Sequence, residues 1–177
     1  KPAYRPSVTK LPTRSIREVY ASPDIPNLIL IDKENGGKAD ALNAGINASQ
    51  YPLFCAIDSD SILENDVLTK LAIPFIESNE VVAVGGIVRV ANGCTVKAGE
   101  VIDIDLSTSA LPNFQIIEYL RSFLFGRVGW DAVNGLLIIS GAFGLYQKRA
   151  IVEIGGYRED TVGEDMELVV RLHHYMR

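Results

Sequence analysis

Cysteine is scarce in this sequence: Cys55 and Cys94 are the two among 177 residues, and Cys55 lies within an apolar stretch. A disulfide-stapled scaffold for an oxidising compartment is therefore not indicated, and reduced thiols on a cytosolic face are expected. Long apolar runs are missing too. The most apolar, Gly135 to Tyr146 (GLLIISGAFGLY), is twelve residues, well short of the roughly 20 needed to span a bilayer as a helix. Neither a signal peptide nor a transmembrane helix is expected. Basic residues are outnumbered, 17 against 22, for a net charge of −5, which argues against a protein that holds a phosphate backbone; no nucleic-acid partner is expected. Internal repeats and low-complexity tracts are absent.

What is present is a chain 47% hydrophobic and 22% charged. That suits one globular domain with a buried core and excludes a disordered or collagen-like chain. Charge is uneven: residues 1–20 carry +4 and the rest −9. A solvated basic tail is favoured over a contact with anionic lipid.

Apolar runs alternate with helical patterns. Asn27 to Asp32 (NLILID) reads as a buried strand, Lys38 to Ser49 as a helix and Leu53 to Ile57 (LFCAI) as a second buried strand. Asn65 to Ser78 is helical with an interruption at Pro74, and Val81 to Val90 is a third strand bent at its double glycine. Asn92 to Pro112 reads as an irregular excursion and Phe114 to Trp130 as a helix, core-facing rather than membrane-resting. Such a βαβ series implies a mostly parallel sheet covered on both faces, with ligands outside the carboxyl ends of the strands. Residues 1–26 read as an irregular basic lead.

The residues after Ile57 are therefore the first place to look. Asp58-Ser59-Asp60 follows the strand, and residues two apart in an extended chain face one side, so both carboxylates can converge on a hard cation. The same residues serve equally as a polar turn in which Asp60 or Ser61 caps the next helix. Lys38 follows Asn35-Gly36-Gly37 at a helix start, where glycines admit a phosphate and the helix terminus favours an anion; a plain turn fits as well. Lys33 and Glu34 can pair in solvent. Thr161 and Glu164 match a capping box, and Asp165 in the first turn of the helix Glu164 to Tyr175 is held ionised by the helix dipole. By spacing alone Asp165 is a surface acid before it is a base. Ser140-Gly141-Ala142 permits close approach of a substrate or of packed backbone. His173 and His174 have no partner at a metal-ligand spacing.

Taken in order, GGKADALNAGIN, AIDSDSIL, IISGAFGLYQKRA and GGYREDTVGEDMELVVRLH resemble the inverting family-2 glycosyltransferases, especially membrane-bound bacterial members related to the synthases of cellulose, hyaluronan, chitin and poly-N-acetylglucosamine. The resemblance spans about Asn27 to Arg177. It implies an α/β GT-A fold over 27–177, a nucleotide-sugar donor, usually a uridine diphosphate sugar, and transfer to a hydroxyl of a glycan or lipid-linked acceptor with inversion. It places Lys38 and Asp40 in the nucleotide-contacting loop, Asp58 on the ribose or sugar side of the donor, and Asp60 on the Mg²⁺ or Mn²⁺ that bridges the diphosphate. Asp165 becomes the base, Ser140 and Gly141 line the acceptor pocket with Glu164 nearby, and Arg149 supports that region.

Two features of the family are not in this sequence: a first strand with a further acidic pair that holds the uracil, and a Gln-x-x-Arg-Trp segment flanked by transmembrane helices. The expectation is thus an incomplete GT-A piece lacking the first strand-helix unit. Its parent would be embedded in the membrane through segments absent here and would work on the cytoplasmic face. Two competitors are carried: a non-catalytic glycosyltransferase-like binding subunit, against which the retention of Asp60 and Asp165 weighs, and an Asp-based phosphohydrolase with a phosphoenzyme at Asp58, which leaves GKADALN and GEDMEL unexplained.

Overall fold

The computed structural model describes residues 11–133 and 135–177; the first ten residues of the basic lead lie outside them. In chain order the elements are β1 (Ile16–Ala21), β2 (Ile29–Lys33), α1 (Gly37–Ala48), β3 (Leu53–Ile57), α2 (Val67–Glu77), β4 (Ala83–Gly85), β5 (Thr95–Lys97), β6 (Glu100–Asp103), α3 (Ala110–Leu120), a π-helical turn (Arg121–Arg127), α4 (Val128–Asp131), β7 (Phe143–Gln147), α5 (Lys148–Glu153) and α6 (Glu164–Tyr175). They fall into two units, one made by the residues up to Phe54 together with Tyr146–Arg177, the other by Cys55–Leu145. No helix among the described residues is long and apolar enough to cross a membrane.

In the first unit β1 runs antiparallel to β2, with Val19 opposite Ile31 and Tyr20 opposite Leu30. Ser22 turns the chain between them, its hydroxyl accepting the Asp24 and Ile25 amides, and Asn27 sits at φ +68°. This corrects the irregular lead for residues 16–21. The β-branched Ile16 and Val19 favour extended backbone, and Arg17 meets Asp32 across the strands at 3.2 Å. It also corrects the buried strand expected at Asn27 to Asp32. The strand starts only at Ile29, after the left-handed Asn27, and Leu30 is 65% exposed because β1 is the one strand paired with β2.

The core of this unit forms around α1 and α6. Ala44 and Ile46 of α1, Leu168, Val169 and Leu172 of α6, Ile151 of α5 and Tyr146 of β7 are all buried. Phe54 stacks on Tyr146 with ring centroids 5.4 Å apart, and Tyr146 meets Tyr157 edge-on at 6.4 Å.

The three-stranded sheet has the order β3-β7-β4. Pro52 accepts the Lys148 amide at 2.8 Å and Ala142 accepts the Asp58 amide at 3.1 Å. These bonds run in opposite chain order, as between antiparallel neighbours. Together with the β1-β2 and β5-β6 pairs, both antiparallel, they correct the mostly parallel expectation while leaving an α/β fold.

In the second unit the expected strand Val81 to Val90 shrinks to β4, where pairing stops at Gly85. Gly86 lies so close to the Phe143 ring that a Cβ would collide with it. The expected irregular excursion instead carries the β5-β6 hairpin, turned by Ala98 and Gly99 at φ +53° and +83°, the two positive φ values of a type I′ turn. The expected core-facing helix Phe114 to Trp130 is corrected as well. Helix α3 has no buried residue, and Phe123 is the buried residue of the π-helical turn, with the Arg127 guanidinium 3.8 Å over its ring.

Candidate functional site

The second unit places Asp58-Ser59-Asp60 at the end of β3, where the Ser61 amide donates to the Asp58 carbonyl at 3.1 Å. The three residues thus sit in a turn rather than in extended chain, so the alternation expected to align both carboxylates stops at Ile57. Helix capping does not explain them either. Helix α2 starts at Val67 behind Asp66 and has no side-chain cap bond. Asp58 is half-buried and Asp60 exposed, and Asp60 makes no hydrogen bond or ion pair among the described residues.

The Asp58 amide ties this turn to Ala142, so Asp58 and the Ser140-Gly141-Ala142 segment lie at the same end of the sheet. There the Ser140 hydroxyl accepts the Ala142 amide at 3.4 Å and its carbonyl accepts the Phe143 amide at 3.1 Å. Those bonds hold the turn that feeds β7. A separate cavity of about 260 Å³ in the same unit is walled by Ile87, Ile104, Leu120 and Phe123 among others, and none of the expected site residues lines it.

In the first unit the loop after β2 leads into the first turn of α1, which carries Lys38 and Asp40. Asn35 accepts the Gly37 amide through its side chain at 3.0 Å, and Gly37 takes φ +84°, which a glycine adopts at little cost. Lys38 leaves this turn half-exposed, with its Nζ 4.0 Å from Glu164 Oε1. The resemblance therefore finds two of its residues, Lys38 and Glu164, side by side.

Asp40 departs from its expected role. It is 0% exposed; one carboxylate oxygen accepts the Arg14 amide at 2.7 Å and the other pairs with the Lys33 ammonium. Lys33 also donates to the Glu34 carbonyl at 2.7 Å, so it turns inward instead of pairing with the Glu34 side chain in solvent. With both oxygens occupied by protein groups, Asp40 holds the loop and is not presented to a nucleotide. One and two turns along α1, Asn43 and Asn47 do the same work. Asn47 donates to the Leu11 carbonyl at 2.9 Å and accepts its amide at 2.8 Å. Asn43 accepts the Tyr157 amide at 2.8 Å and donates to its carbonyl at 2.9 Å. The polar letters of KADALNAGIN are thus a row of backbone clamps.

Helix α6 opens behind Gly163 at φ +92°, placing Glu164 and Asp165 in the first turn with Glu167. Asp165 Oδ1 accepts the Met166 amide at 2.9 Å. The capping box is corrected: Glu164 is the first helical residue rather than the third, and the buried Thr161 hydroxyl has no hydrogen-bond partner among the described residues. Burial pushes the Tyr157 phenol far above its usual range. Its bond to Tyr146 and the carboxylates of Glu164 and Asp165 push the same way, so a neutral hydroxyl lies within the field of both acids.

Arg149, expected to support the acceptor region, is exposed and pairs with Glu153 at 2.8 Å one turn on. Arg171 was missed by sequence reasoning. It forks onto Glu167 at 2.7 Å through both Nε and Nη2, donates to the Gly156 carbonyl at 2.7 Å and also to the Ile154 carbonyl. The i,i+4 spacing from Glu167 was the available signal, and it points to a pair but not to the carbonyls.

The family profile described as Glycosyl transferase family 2 matches residues 10–153, a span that takes in Lys38, Asp58, Asp60 and Ser140 and ends before Glu164 and Asp165. Poly-beta-1,6-N-acetyl-D-glucosamine synthase of Staphylococcus aureus (strain COL) is 28% identical over 156 residues, which is 88% of this chain and 34% of the synthase. The synthase of the same name from Staphylococcus epidermidis is 27% identical over 139 residues, 78% of this chain and 30% of that protein. The chain spans about a third of the length of these curated relatives.

Proposed function

The chain belongs to glycosyl transferase family 2, whose domains have the GT-A fold, and from that premise we propose that its parent protein transfers a sugar from a uridine diphosphate sugar to an acceptor hydroxyl with inversion, in the building of a polysaccharide. N-acetylglucosamine is the first sugar to try, because the similar synthases are named for a polymer of it. The observation that carries the reading is the exposed Asp60 at the end of β3, on a turn bonded to the Ser140-Gly141-Ala142 segment, in a chain whose family match covers both.

The donor set suits Mg²⁺ or Mn²⁺. Both ions take hard oxygen ligands and commonly use one or two protein carboxylates with substrate phosphates completing the shell. Asp60 and Asp58 offer that much, and no group of three or more His, Cys, Asp or Glu side chains that could hold a metal occurs among the described residues. When bound, the ion would neutralise charge developing on the leaving diphosphate. Lys38, in the first turn of α1 behind Gly36 and Gly37, supplies a cation for the nucleotide phosphates. Asp165, in the first turn of α6, accepts the proton of the attacking hydroxyl. Ser140 and Gly141 contact the acceptor, with Glu164 beside Lys38. The exposed apolar row of Leu111, Phe114 and Ile117 on α3 suits a place against the cytoplasmic side of a membrane.

The test is a calorimetric titration of uridine diphosphate with and without Mn²⁺, joined to a transfer assay with UDP-N-acetylglucosamine in the full-length protein. Asp60→Asn should weaken the Mn²⁺-dependent part of binding at least tenfold; unchanged metal dependence would remove the metal assignment. Asp165→Asn should abolish transfer with donor affinity nearly intact. Binding without any turnover in the wild type would instead mark a non-catalytic relative.

A further inference from the structure

Arg171 of α6 donates to Glu167 and to the carbonyls of Ile154 and Gly156, away from the sugar-transfer chemistry. Its setting starts with α5. That short helix ends in a Schellman turn: the Gly155 amide donates to the Val152 carbonyl at 3.0 Å and the Gly156 amide to the Ile151 carbonyl at 2.9 Å, with φ +88° and +75° at the two glycines. The carbonyls of Ile154 and Gly156 are left over, and the Arg171 guanidinium takes both. The remaining edge of the guanidinium forks onto Glu167, and the two side chains are 21% and 22% exposed. A planar five-donor group can serve two carbonyls and a bidentate carboxylate at once, which an ammonium cannot.

The next residue, Tyr157, has its amide and its carbonyl both held by Asn43, itself 1% exposed. Gly156 is packed so tightly that a Cβ would stand 2.6 Å from Asn43 Oδ1 and 2.7 Å from Leu11. The segment that leads into α6 is therefore staked at its start by Asn43, and the helix is staked to the same turn by Arg171. Asp165 lies between the stakes, in the first turn of α6 together with Glu167, whose partner Arg171 reaches back from six residues beyond Asp165.

We propose that Arg171, oriented by Glu167, is a positioning residue that sets where the Asp165 carboxylate stands, by anchoring α6 to the carbonyls of Ile154 and Gly156. This rests on Asp165 being the base. Positional error of about 1 Å at a reacting group can cost on the order of a hundredfold in rate, so the loss belongs in kcat and not in donor binding.

The experiment measures transfer from UDP-N-acetylglucosamine by Arg171→Lys, Arg171→Met, Glu167→Gln, the double variant Glu167→Gln/Arg171→Met, and Asp165→Asn in the full-length protein. Each kcat is normalised to the number of UDP sites found by calorimetry, which removes any loss of folded protein. The expected result is a kcat per site at least tenfold down in Arg171→Lys and further down in Arg171→Met, with KM for the donor within about twofold, and a smaller loss in Glu167→Gln that is not additive with Arg171→Met. If Arg171→Met does not fold, Arg171→Lys carries the test. A kcat per site within twofold of wild type in Arg171→Lys, while Asp165→Asn is inactive, overturns the positioning role and leaves the base intact. Loss of UDP binding in Arg171→Lys also overturns it, by making Arg171 a residue of folding or of the donor site. Wild-type turnover in Asp165→Asn defeats the base assignment, and the positioning role with it.

Discussion

Replacing Asp40 by Asn keeps the shape of a fully enclosed side chain and removes its charge, which isolates the worth of the pair with Lys33. Asn Oδ1 still accepts the Arg14 amide, so that bond survives. The Lys33 ammonium does not fare as well: its side chain is 11% exposed, and its remaining partner is the Glu34 carbonyl. Breaking a buried ion pair by removing one partner costs about 3–5 kcal/mol. The short path from Lys33 to solvent places the expected loss near the lower end, about 3 kcal/mol. Against a total stability on the order of 5–15 kcal/mol this is a large fraction. With a urea m-value of about 2 kcal/mol/M, the unfolding midpoint followed by far-ultraviolet circular dichroism should fall by about 1.5 M. Lys33→Met should cost a similar amount, and the double replacement Lys33→Met/Asp40→Leu should cost less than either single change, because no charge is then left buried. A loss under about 0.5 kcal/mol for Asp40→Asn, the range of ordinary surface changes, would refute the enclosed pair. Intact stability with greatly weakened uridine diphosphate binding would return Asp40 to the nucleotide contact that the resemblance implies.

Burial pushes the Cys55 thiol up to about 11 from 9.0, outweighing the opposing hydrogen bond with the Gly144 backbone. At pH 8 its thiolate fraction is then about a hundredfold below that of an unperturbed thiol, so in a Cys94→Ser background iodoacetamide should react slowly and accelerate through pH 10 to 11; a midpoint near 9 would contradict the burial. Gly156→Ala should destabilise by about 2 kcal/mol or more, from a left-handed alanine and a displaced Asn43, and unchanged thermal unfolding would show that the turn relaxes freely. Leu168→Ala, at a side chain with no exposed surface, should cost about 2–5 kcal/mol by the same measurement.

Much of the site's neighbourhood was legible in the chain. Helix α1 and strand β3 lie within a residue of where periodicity put them, because a helix face and a short apolar strand are local patterns. Glu164 and Asp165 open α6 as the motif suggested. Strand β1 and the β5-β6 hairpin were not legible. Neither buries a clean apolar face, and a strand's place depends on the partner it finds. Asp40 shows the limit most sharply. The resemblance implies a carboxylate facing the nucleotide, and only the inward turn of Lys33 together with the Arg14 amide occupies its two oxygens.

Four ordered motifs carried the resemblance to the family, and alternating apolar and helical patterns the α/β class, because those are properties of local sequence and of spacing. Which of the motif residues face outward was decided by contacts across the chain. The Asn43 side chain meets the Tyr157 backbone 114 positions away, and Arg171 meets carbonyls 15 and 17 positions back. A buried polar group must be satisfied by whatever the fold brings within about 3 Å of it. Sequence alone lists the donors and acceptors; tertiary structure selects the partner, and with it whether a carboxylate such as Asp40 is enclosed in the scaffold or one such as Asp60 stays exposed.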